Sequence, residues 1–213
     1  MNLSVIIPSY NEQVNPNEIG GIFTNLGYNV QVLISTDDFH KGKGFAIKDA
    51  IALTTGDYVL FMDADMQVNP TEINTFFKLM DLYNAEVVIG NKSHSYSNSQ
   101  YTFLRKIISI GYYLLVKGLF GLPLQDTQCG FKLFKHEILL KLLPLLKENR
   151  YAFDLELLVS LRDNNIRVID SPVEVRKQLN KGSVSFGTIW ITFWDTLRVW
   201  QRRNKDAYII SSK

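Results

Sequence analysis

Short runs of β-branched and aromatic residues, separated by segments with helical spacing, constrain the fold of this chain most strongly. Four such runs occur in the first half, at 3–8 (LSVIIP), 29–35 (NVQVLIS), 58–62 (YVLFM) and 85–90 (AEVVIG). Continuous apolar strands are typical of parallel sheets that are buried on both faces. Their alternation with helices predicts an α/β fold of the Rossmann-like kind, with ligands bound at the carboxyl ends of the strands.

The helical segments follow from apolar spacing and from helix-ending residues. We predict helices at 15–26, 43–54, 71–83, 102–120, 137–146, 153–163 and 185–203. A last strand is predicted at 167–173, and 122–134 is predicted to be a polar link. The helix at 185–203 is amphipathic and rich in aromatic residues, and a polar tail follows it.

Composition excludes several classes of protein. The 213 residues suit one domain, and 46% hydrophobic with 21% charged residues is a globular composition. The net charge of +2 is too small to indicate nucleic acid as a partner. Because Cys129 is the single cysteine, no internal disulfide can form, and we expect it to be a packed residue and not a nucleophile.

We recognise no targeting signal or membrane-spanning segment in the sequence. Its first residues read directly as a strand, without the basic start and apolar stretch of a signal peptide. The longest uncharged apolar stretches, 107–116 and 184–194, are too short to span a bilayer. We therefore expect a soluble or peripheral protein in the cytoplasm.

An acidic turn follows the third predicted strand directly. In extended backbone, residues two apart project to the same side, so Asp63, Asp65 and Gln67 are expected to present three oxygens to one point. Such ligands suit Mg²⁺ or Mn²⁺, and a cation there would neutralise a departing diphosphate. The alternative is a solvated turn that caps the helix beginning near Thr71.

Five ordered motifs carry a resemblance to a known family. They are 4–12 (SVIIPSYNE), 42–44 (GKG), 56–67 (GDYVLFMDADMQ), 126–134 (DTQCGFKLF) and 153–156 (FDLE). Together they resemble family-two glycosyltransferases of the GT-A fold, and the last two are similar to those of the polyprenyl-phosphate branch, the dolichyl-phosphate glucosyl- and mannosyltransferases. The resemblance implies transfer of a hexose from a nucleotide-diphosphate sugar to a polyprenyl (dolichyl-type) phosphate. UDP-glucose is the favoured donor, and GDP-mannose is the alternative.

The resemblance also implies roles for individual residues. The nucleotide-sugar pocket would include Pro8, Tyr10, Glu12, Asp37, Asp38, Lys43, Asp63, Ala64 and Asp65. Catalytic residues facing the sugar and acceptor would be Asp126, Gln128 and Asp154. The alternatives are structural: Tyr10 and Glu12 could pack beside the first helix, Asp126 and Gln128 could satisfy a tight turn, and Asp154 could cap a helix.

The sequence departs from the family pattern at two places. The usual aspartate-rich signature after the second strand is replaced by Asp37 and Asp38, a few residues before Gly42, so that roughly 20 residues are missing by comparison with the family. The closing basic loop lacks its last lysine. Arg176, Lys177 or Lys181 would substitute there as phosphate ligands.

Two basic residues and two helices are candidates for contact with the acceptor and with a membrane. Arg105 and Lys106 open the apolar fourth helix and are candidates for the acceptor phosphate, unless they are ordinary surface charges. This helix and 185–203 are expected to touch a membrane surface, the alternatives being packing on the protein or an oligomer interface. We expect a glycosyltransferase domain at 1–184 and a membrane-interface helix with its tail at 185–213. Competing functions are transfer to a soluble glycan hydroxyl, or an inactive scaffold of the same fold.

Overall fold

The computed structural model describes residues 1–9, 13–36, 42–92, 103–122, 126, 129–150, 152–175 and 186–210. At 103–109, 186, 188 and 189 it describes the backbone alone. The described part contains a six-stranded sheet with the order β2-β1-β3-β5-β4-β6. Its strands are β1 (Asn2–Ser9), β2 (Asn29–Thr36), β3 (Tyr58–Phe61), β4 (Val87–Asn91), β5 (Lys132–Lys135) and β6 (Val168–Pro172).

The described residues form seven α-helices, and all of them lie within or close to predicted helical segments. They are α1 (Pro16–Asn25), α2 (Lys43–Ile51), α3 (Ile73–Leu82), α4 (Phe103–Phe120), α5 (His136–Leu142), α6 (Phe153–Asp163) and α7 (Phe186–Arg203). Short 3₁₀ turns precede α3 at Pro70–Glu72 and follow α5 at Leu143–Leu145. Local spacing therefore predicted the helices well.

The strand β5 was not predicted, because 122–134 was expected to be a polar link. It runs antiparallel between β3 and β4, with Lys132 opposite both Phe61 and Ile89. The other described pairings, β1–β2, β1–β3 and β4–β6, are parallel. A four-residue strand with a lysine at each end has no local signature, since partners distant in the sequence decide its pairing.

Two apolar layers cover the two faces of the sheet. Ile6 and Phe61 belong to one layer, together with residues of α2, α4 and α6, whereas Val5 and Leu60 belong to the other, with residues of α1 and α3. Successive residues of a strand point to opposite faces, so both faces of the central strands are buried. This burial fixes the strand ends that carry the polar residues described below.

The C-terminal helix is anchored through a buried carboxylate on α6. Glu156 is fully buried, and its Oε2 accepts hydrogen bonds from the backbone N–H groups of Lys147 (2.8 Å) and Glu148 (2.7 Å). Its Oε1 accepts from the hydroxyl of Tyr208 at 2.7 Å. That hydroxyl in turn accepts from Nε of Arg202 on α7 at 3.1 Å. The segment after α7 is thereby attached to α6.

Replacing Tyr208 by phenylalanine tests this anchor. The change removes a hydroxyl that donates to a buried carboxylate and accepts from a guanidinium. Hydrogen bonds to charged groups contribute about 1.5–3 kcal/mol, so we expect the free energy of unfolding to fall by roughly that amount. Urea unfolding followed by circular dichroism measures it. A change below about 0.5 kcal/mol, the size typical of surface substitutions, would contradict the anchor.

Candidate active site

Polar residues from three neighbouring strands meet at one edge of the sheet, the one that the carboxyl ends of its parallel strands form. Asp63 follows the carboxyl end of β3, and Lys92 follows the carboxyl end of β4. Because β5 runs antiparallel to both, its first residue, Lys132, lies at the same edge. The ligand site was expected at the carboxyl ends of the parallel strands, and this is where the charged residues collect.

A chain of alternating charges runs through this edge. The ammonium group of the fully buried Lys132 contacts Oδ1 of Asp154 on α6. Oδ2 of Asp154 lies 3.6 Å from Nζ of Lys43, which also donates a hydrogen bond of 3.0 Å to Oδ1 of Asp63. Oδ2 of Asp63 lies 3.9 Å from Nζ of Lys92. Three lysines and two aspartates thus form one connected group.

Two glycines make room for this arrangement. A Cβ atom on Gly130 would lie 2.0 Å from the carboxylate of Asp63, so the absence of a side chain there leaves the space that this carboxylate occupies. Gly42, directly before Lys43, has a φ of 106°, and its Cβ would lie 2.5 Å from the carbonyl oxygen of Asn149. Only glycine adopts that conformation readily, which allows α2 to begin at Lys43 against the 146–150 segment.

Each charged residue of this group stabilises the charged form of its neighbours. Burial alone lowers the pKa of Lys43, but the carboxylates of Asp154 and Asp63 outweigh it and hold this pKa above its ordinary value. Burial alone raises the pKa of Asp154, but Lys132 and Lys43 outweigh it and the pKa lies below its ordinary value. The pKa of Asp63 is lowered in the same way, against burial, by Lys43 and Lys92. Lys43, Asp63 and Asp154 are therefore charged at neutral pH.

The rest of the acidic turn is held by its own hydrogen bonds. Nε2 of Gln67 donates to Oδ2 of the exposed Asp65 at 2.6 Å, and Oε1 of Gln67 accepts from Nζ of Lys92 at 3.1 Å. Met66 between them has a φ of 46°, an uncommon value for a residue with a side chain, and it turns the backbone sharply. Ala64 is half-buried against the second apolar layer.

The acidic turn does not cap the helix that follows it. That position belongs to Asn69, whose Oδ1 accepts from the backbone N–H of Thr71 at 3.2 Å. Asp154 is likewise not a helix cap, because Ala152 occupies the N-cap position of α6. The capping part of both structural alternatives is therefore wrong, although Asp65 in the turn is exposed to solvent.

Two of the predicted metal ligands, Asp63 and Gln67, line one small pocket with Lys92, and the third, Asp65, lies beside Gln67. Asp65 and Gln67 contact each other, whereas the carboxylate of Asp63 faces Lys43 and Lys92. Within the described ranges, no three His, Cys, Asp or Glu side chains are grouped as a metal site would require. An exposed carboxylate beside a carboxamide still fits a hard cation, which commonly takes one or two carboxylates and completes its shell with water and substrate phosphate.

The other predicted site residues divide into two sets. Pro8 is the last residue but one of β1 and lies at the carboxyl end of that strand. Oδ2 of Asp126 accepts a hydrogen bond from the backbone N–H of Lys92 at 3.1 Å. Arg105 and Lys106 lie in the first turn of α4, where the backbone alone is described. Outside the described residues lie Tyr10, Glu12, Asp37, Asp38, Gln128, Arg176, Lys177 and Lys181.

Lys92 and Lys132 belong to the candidate site, although the sequence analysis gave them no role. Lys132 stands between Phe131 and Leu133, and a lysine inside an apolar run was the available signal. Its burial became recognisable only once this run was known to form a central strand. Cys129 is fully buried, as expected of a packed residue, and burial raises the pKa of its thiol to about 11.

An exposed apolar face lies on α4 and α7. The two helices are in contact, and the hydroxyls of Tyr112 and Thr196 lie 3.2 Å apart. The exposed side chains are Ile110, Tyr113 and Leu114 on α4, and Trp190, Ile191 and Trp194 on α7; we call this set the α4–α7 face. The inner sides of the helices bury Val116 and Val199. No helix in the described parts of the chain has the length and apolarity needed to cross a bilayer.

Comparison with known proteins identifies the family. The sequence profile of "Glycosyl transferase family 2" matches residues 23–143, which is more than half of the chain. The chain belongs to this family. The predicted family-two resemblance is thereby confirmed.

Several relatives in the family are dolichyl-phosphate beta-glucosyltransferases. The one from Dictyostelium discoideum is 29% identical, with 80% of this chain and 65% of the relative covered. One from Trichomonas vaginalis is 32% identical over 72% of this chain and 48% of the relative. The human one is 29% identical over 80% and 52%. The chain thus spans about half to two thirds of the length of these relatives.

Solved structures confirm the fold. Glucosyl-3-phosphoglycerate synthase from Mycobacterium tuberculosis, in complex with Mn²⁺, uridine-diphosphate-glucose and phosphoglyceric acid, has a TM-score of 0.70 at 17% identity, with 94% of this chain and 80% of that chain covered. Mannosyl-3-phosphoglycerate synthase from Rubrobacter xylanophilus has a TM-score of 0.64 at 14% identity, with 100% and 77% covered. The predicted GT-A fold is correct.

Replacing Asp154 by asparagine tests the charge chain. The change leaves the fully buried ammonium of Lys132 without its carboxylate. We expect the free energy of unfolding at pH 7 to fall by about 3–5 kcal/mol, as when one partner of a buried ion pair is removed. Because the pKa of Asp154 is lowered on folding, this contribution is present above about pH 4 and is lost as the pH falls below it.

Two further variants serve as controls for urea unfolding. Glu137→Gln removes one partner of the exposed Glu137–Lys141 pair and should cost less than about 0.5 kcal/mol. The double variant Lys132→Met/Asp154→Leu removes both buried charges and should regain most of the stability lost in Asp154→Asn. If Asp154→Asn costs no more than Glu137→Gln, the buried pairing is refuted.

Proposed function

We propose that this chain transfers glucose from UDP-glucose to a polyprenyl phosphate at a membrane surface, with inversion at the anomeric carbon. Family membership supports glycosyl transfer, and the dolichyl-phosphate beta-glucosyltransferases among its relatives support this donor and acceptor. A structure of the same fold that holds uridine-diphosphate-glucose supports the donor as well. Among the chain's own residues, Asp154 gives the strongest support for this acceptor.

Asp154 favours an acceptor that is already ionised. A hydroxyl acceptor would need a general base, and Asp154 and Asp126 are the carboxyl groups available for that role. The carboxyl group of Asp154, however, is 3% exposed, and each of its oxygens lies against a lysine. A carboxylate whose pKa is lowered in this way is a weak base, and its burial keeps it from an acceptor hydroxyl. A phosphate monoester carries negative charge at neutral pH and requires no base. In our proposal Asp154 therefore positions Lys43 and Lys132.

The donor's diphosphate would meet the lysines and the acidic turn. Lys43 and Lys92 are the cations nearest to Asp63, and both are placed to offset negative charge that develops on a leaving diphosphate. Asp65 and Gln67, with Asp63, would hold Mg²⁺ or Mn²⁺, which supplies Lewis-acid assistance to the same leaving group when bound.

The chemical step is a direct displacement. An oxygen of the acceptor phosphate forms a bond to the anomeric carbon, the bond from that carbon to the β-phosphate oxygen breaks, and UDP leaves with the electron pair. Attack from the side opposite the leaving group inverts the configuration. Lys43 and Lys92 stabilise the negative charge that develops on the leaving diphosphate. Orientation of the donor and acceptor phosphates in one site contributes further to the rate.

The α4–α7 face is the surface that we assign to the membrane. Its two exposed tryptophans and three exposed aliphatic residues lie beside Lys117 and Arg198, which are exposed cations on the same two helices. Aromatic side chains with neighbouring cations suit a helix that lies in the headgroup region. The proposal therefore includes peripheral attachment to a membrane, and the cytoplasmic face is the side that we expect from the sequence.

The sequence of α7 carries apolar residues at helical spacing at positions 189, 193, 197 and 200, with Trp190 and Trp194 beside this stripe. Phe193, Leu197 and Trp200 are half-buried, whereas among the described side chains of α7 the most exposed aromatic ones are Trp190 and Trp194. The inner residues of α7 pack on the protein, so the stripe is shared between the core and the surface. Membrane contact is therefore assigned to the tryptophans.

Transfer to a soluble hydroxyl is the alternative reaction. The base would then have to be Asp126, whose Oδ2 accepts from the backbone N–H of Lys92. The inactive-scaffold hypothesis requires a site that does not bind nucleotide sugar. Both alternatives differ from the proposal in the products of a single assay.

The assay supplies UDP-[¹⁴C]glucose, Mn²⁺, and dolichyl phosphate in vesicles, and follows organic-extractable label together with UDP release. We expect label in the lipid phase, and about a 100-fold loss of rate in Asp65→Asn, since removal of one charge-stabilising group costs that order. The matched control is Asp57→Asn, an exposed aspartate at the opposite end of β3, whose rate should equal that of the unmodified protein.

Other outcomes exclude the proposal. Label that appears only on a soluble glycan, with lipid phosphate ignored, would establish the hydroxyl acceptor. Absence of a thermal shift with UDP-glucose and Mn²⁺ would support the inactive scaffold, because a ligand of the native state raises its stability. Equal rates in Asp65→Asn and Asp57→Asn would remove the acidic turn from the mechanism.

The double variant Trp190→Glu/Trp194→Glu tests the membrane assignment. It replaces two exposed aromatic side chains by carboxylates, so we expect binding to anionic vesicles to weaken at least about tenfold. Co-sedimentation with vesicles measures this, and Leu82→Glu, at an exposed position on α3, is the control. If both proteins bind vesicles as the unmodified chain does, the membrane contact lies elsewhere.

A further inference from the structure

β2 is an edge strand of the sheet that the described residues form. β2 pairs with β1 at all eight residues from Asn29 to Thr36, and it is the first strand in the sheet order. Within the described ranges, no strand pairs with its other side. Alternate residues of a strand direct their N–H and C=O groups outward, so this edge presents a row of backbone donors and acceptors.

The two outer strands of the sheet, β2 and β6, differ in how strongly they discourage pairing with a further strand. β6, at the opposite edge, has five residues, and among them are Asp170 and Pro172. A short strand with a charge and a proline is a usual protection against edge-to-edge association. β2 is longer, with the sequence NVQVLIST, and it has no charged residue and no proline.

The side chains of β2 are only partly covered. The six residues between its ends are half-buried, whereas those of β1 beside it are nearly all buried. Gly20 of α1 lies over one face, where a Cβ would be 3.7 Å from Val32. On the other face, the hydroxyl of Ser35 donates to the carbonyl of Ala46 at 2.8 Å. Helices therefore cover both faces of the strand and leave its edge accessible.

We propose that a second copy of this chain pairs with the β2 edge, strand antiparallel to strand, to form a two-fold symmetric dimer with a continuous sheet. Self-pairing places a strand against its own sequence, so any charge would face a like charge, and β2 has none. A two-fold axis perpendicular to the sheet keeps each face continuous. Val30, Val32 and Ile34, which share one face, then lie opposite the same set from the partner.

Sedimentation equilibrium from 1 to 100 μM, without nucleotide or lipid, tests the proposal independently of any transferase activity. We expect a dimer, and a dissociation constant at least about 100-fold weaker in Val32→Lys, because the change sets lysines near their counterparts across the axis. Circular dichroism and thermal melting establish that the variant is folded. Hydrogen exchange should be slow at the alternate amides of 29–36 that face away from β1, and exchange at these amides should become faster in the variant.

A matched variant separates this edge from the α4–α7 face. Trp194→Glu should leave the dimer intact, since it changes the other candidate surface. A monomer at 100 μM would overturn the proposal. Protection, within a monomer, of the alternate amides of 29–36 that face away from β1 would also overturn it, because another part of the polypeptide would then cover the edge. Loss of the dimer in Trp194→Glu but not in folded Val32→Lys would assign it to the α4–α7 face. Open-ended assemblies would refute a closed dimer.

Discussion

The pairing of Asp154 with two lysines is the interaction on which the rest of the site depends. Removing charges from water is costly, and a fully buried lysine is tolerated only with a partner such as the carboxylate that Asp154 provides. Through its second oxygen Asp154 also orients Lys43, and Lys43 in turn holds Asp63 at the start of the acidic turn. A structural ion pair and the proposed donor site are thus one connected system.

The fold produces this system by bringing distant segments to one edge of the sheet. β3 and β4 end there, and the antiparallel β5 begins there, so that Asp63, Lys92 and Lys132 are close although they are far apart in sequence. Helices α2 and α6 add Lys43 and Asp154 through their first turns. Close packing at Gly42 and Gly130 leaves few alternative positions for these side chains.

The sequence predicted what local patterns determine. Helical spacing located α6 at Phe153–Asp163, and the apolar runs located the parallel strands. The acidic turn and Asp154 were recognised from motifs. The strand β5 was missed because its pairing depends on β3 and β4, and with it the burial of Lys132 was missed. The contact of Asp63 with lysines, where a shared metal site was expected, also depends on such distant partners.

The central claim is that Asp154 is an ionised, doubly paired carboxylate and not a general base. The direct measurement is a pH titration of its carboxyl carbon by NMR, with ¹³C-labelled aspartate and with Asp154→Asn to assign the resonance. The account predicts that this carbon keeps the chemical shift of a carboxylate from neutral pH down to about pH 4, with a pKa below the ordinary value. Titration near pH 6–7 would contradict it, because a carboxyl group with that pKa is suited to proton transfer.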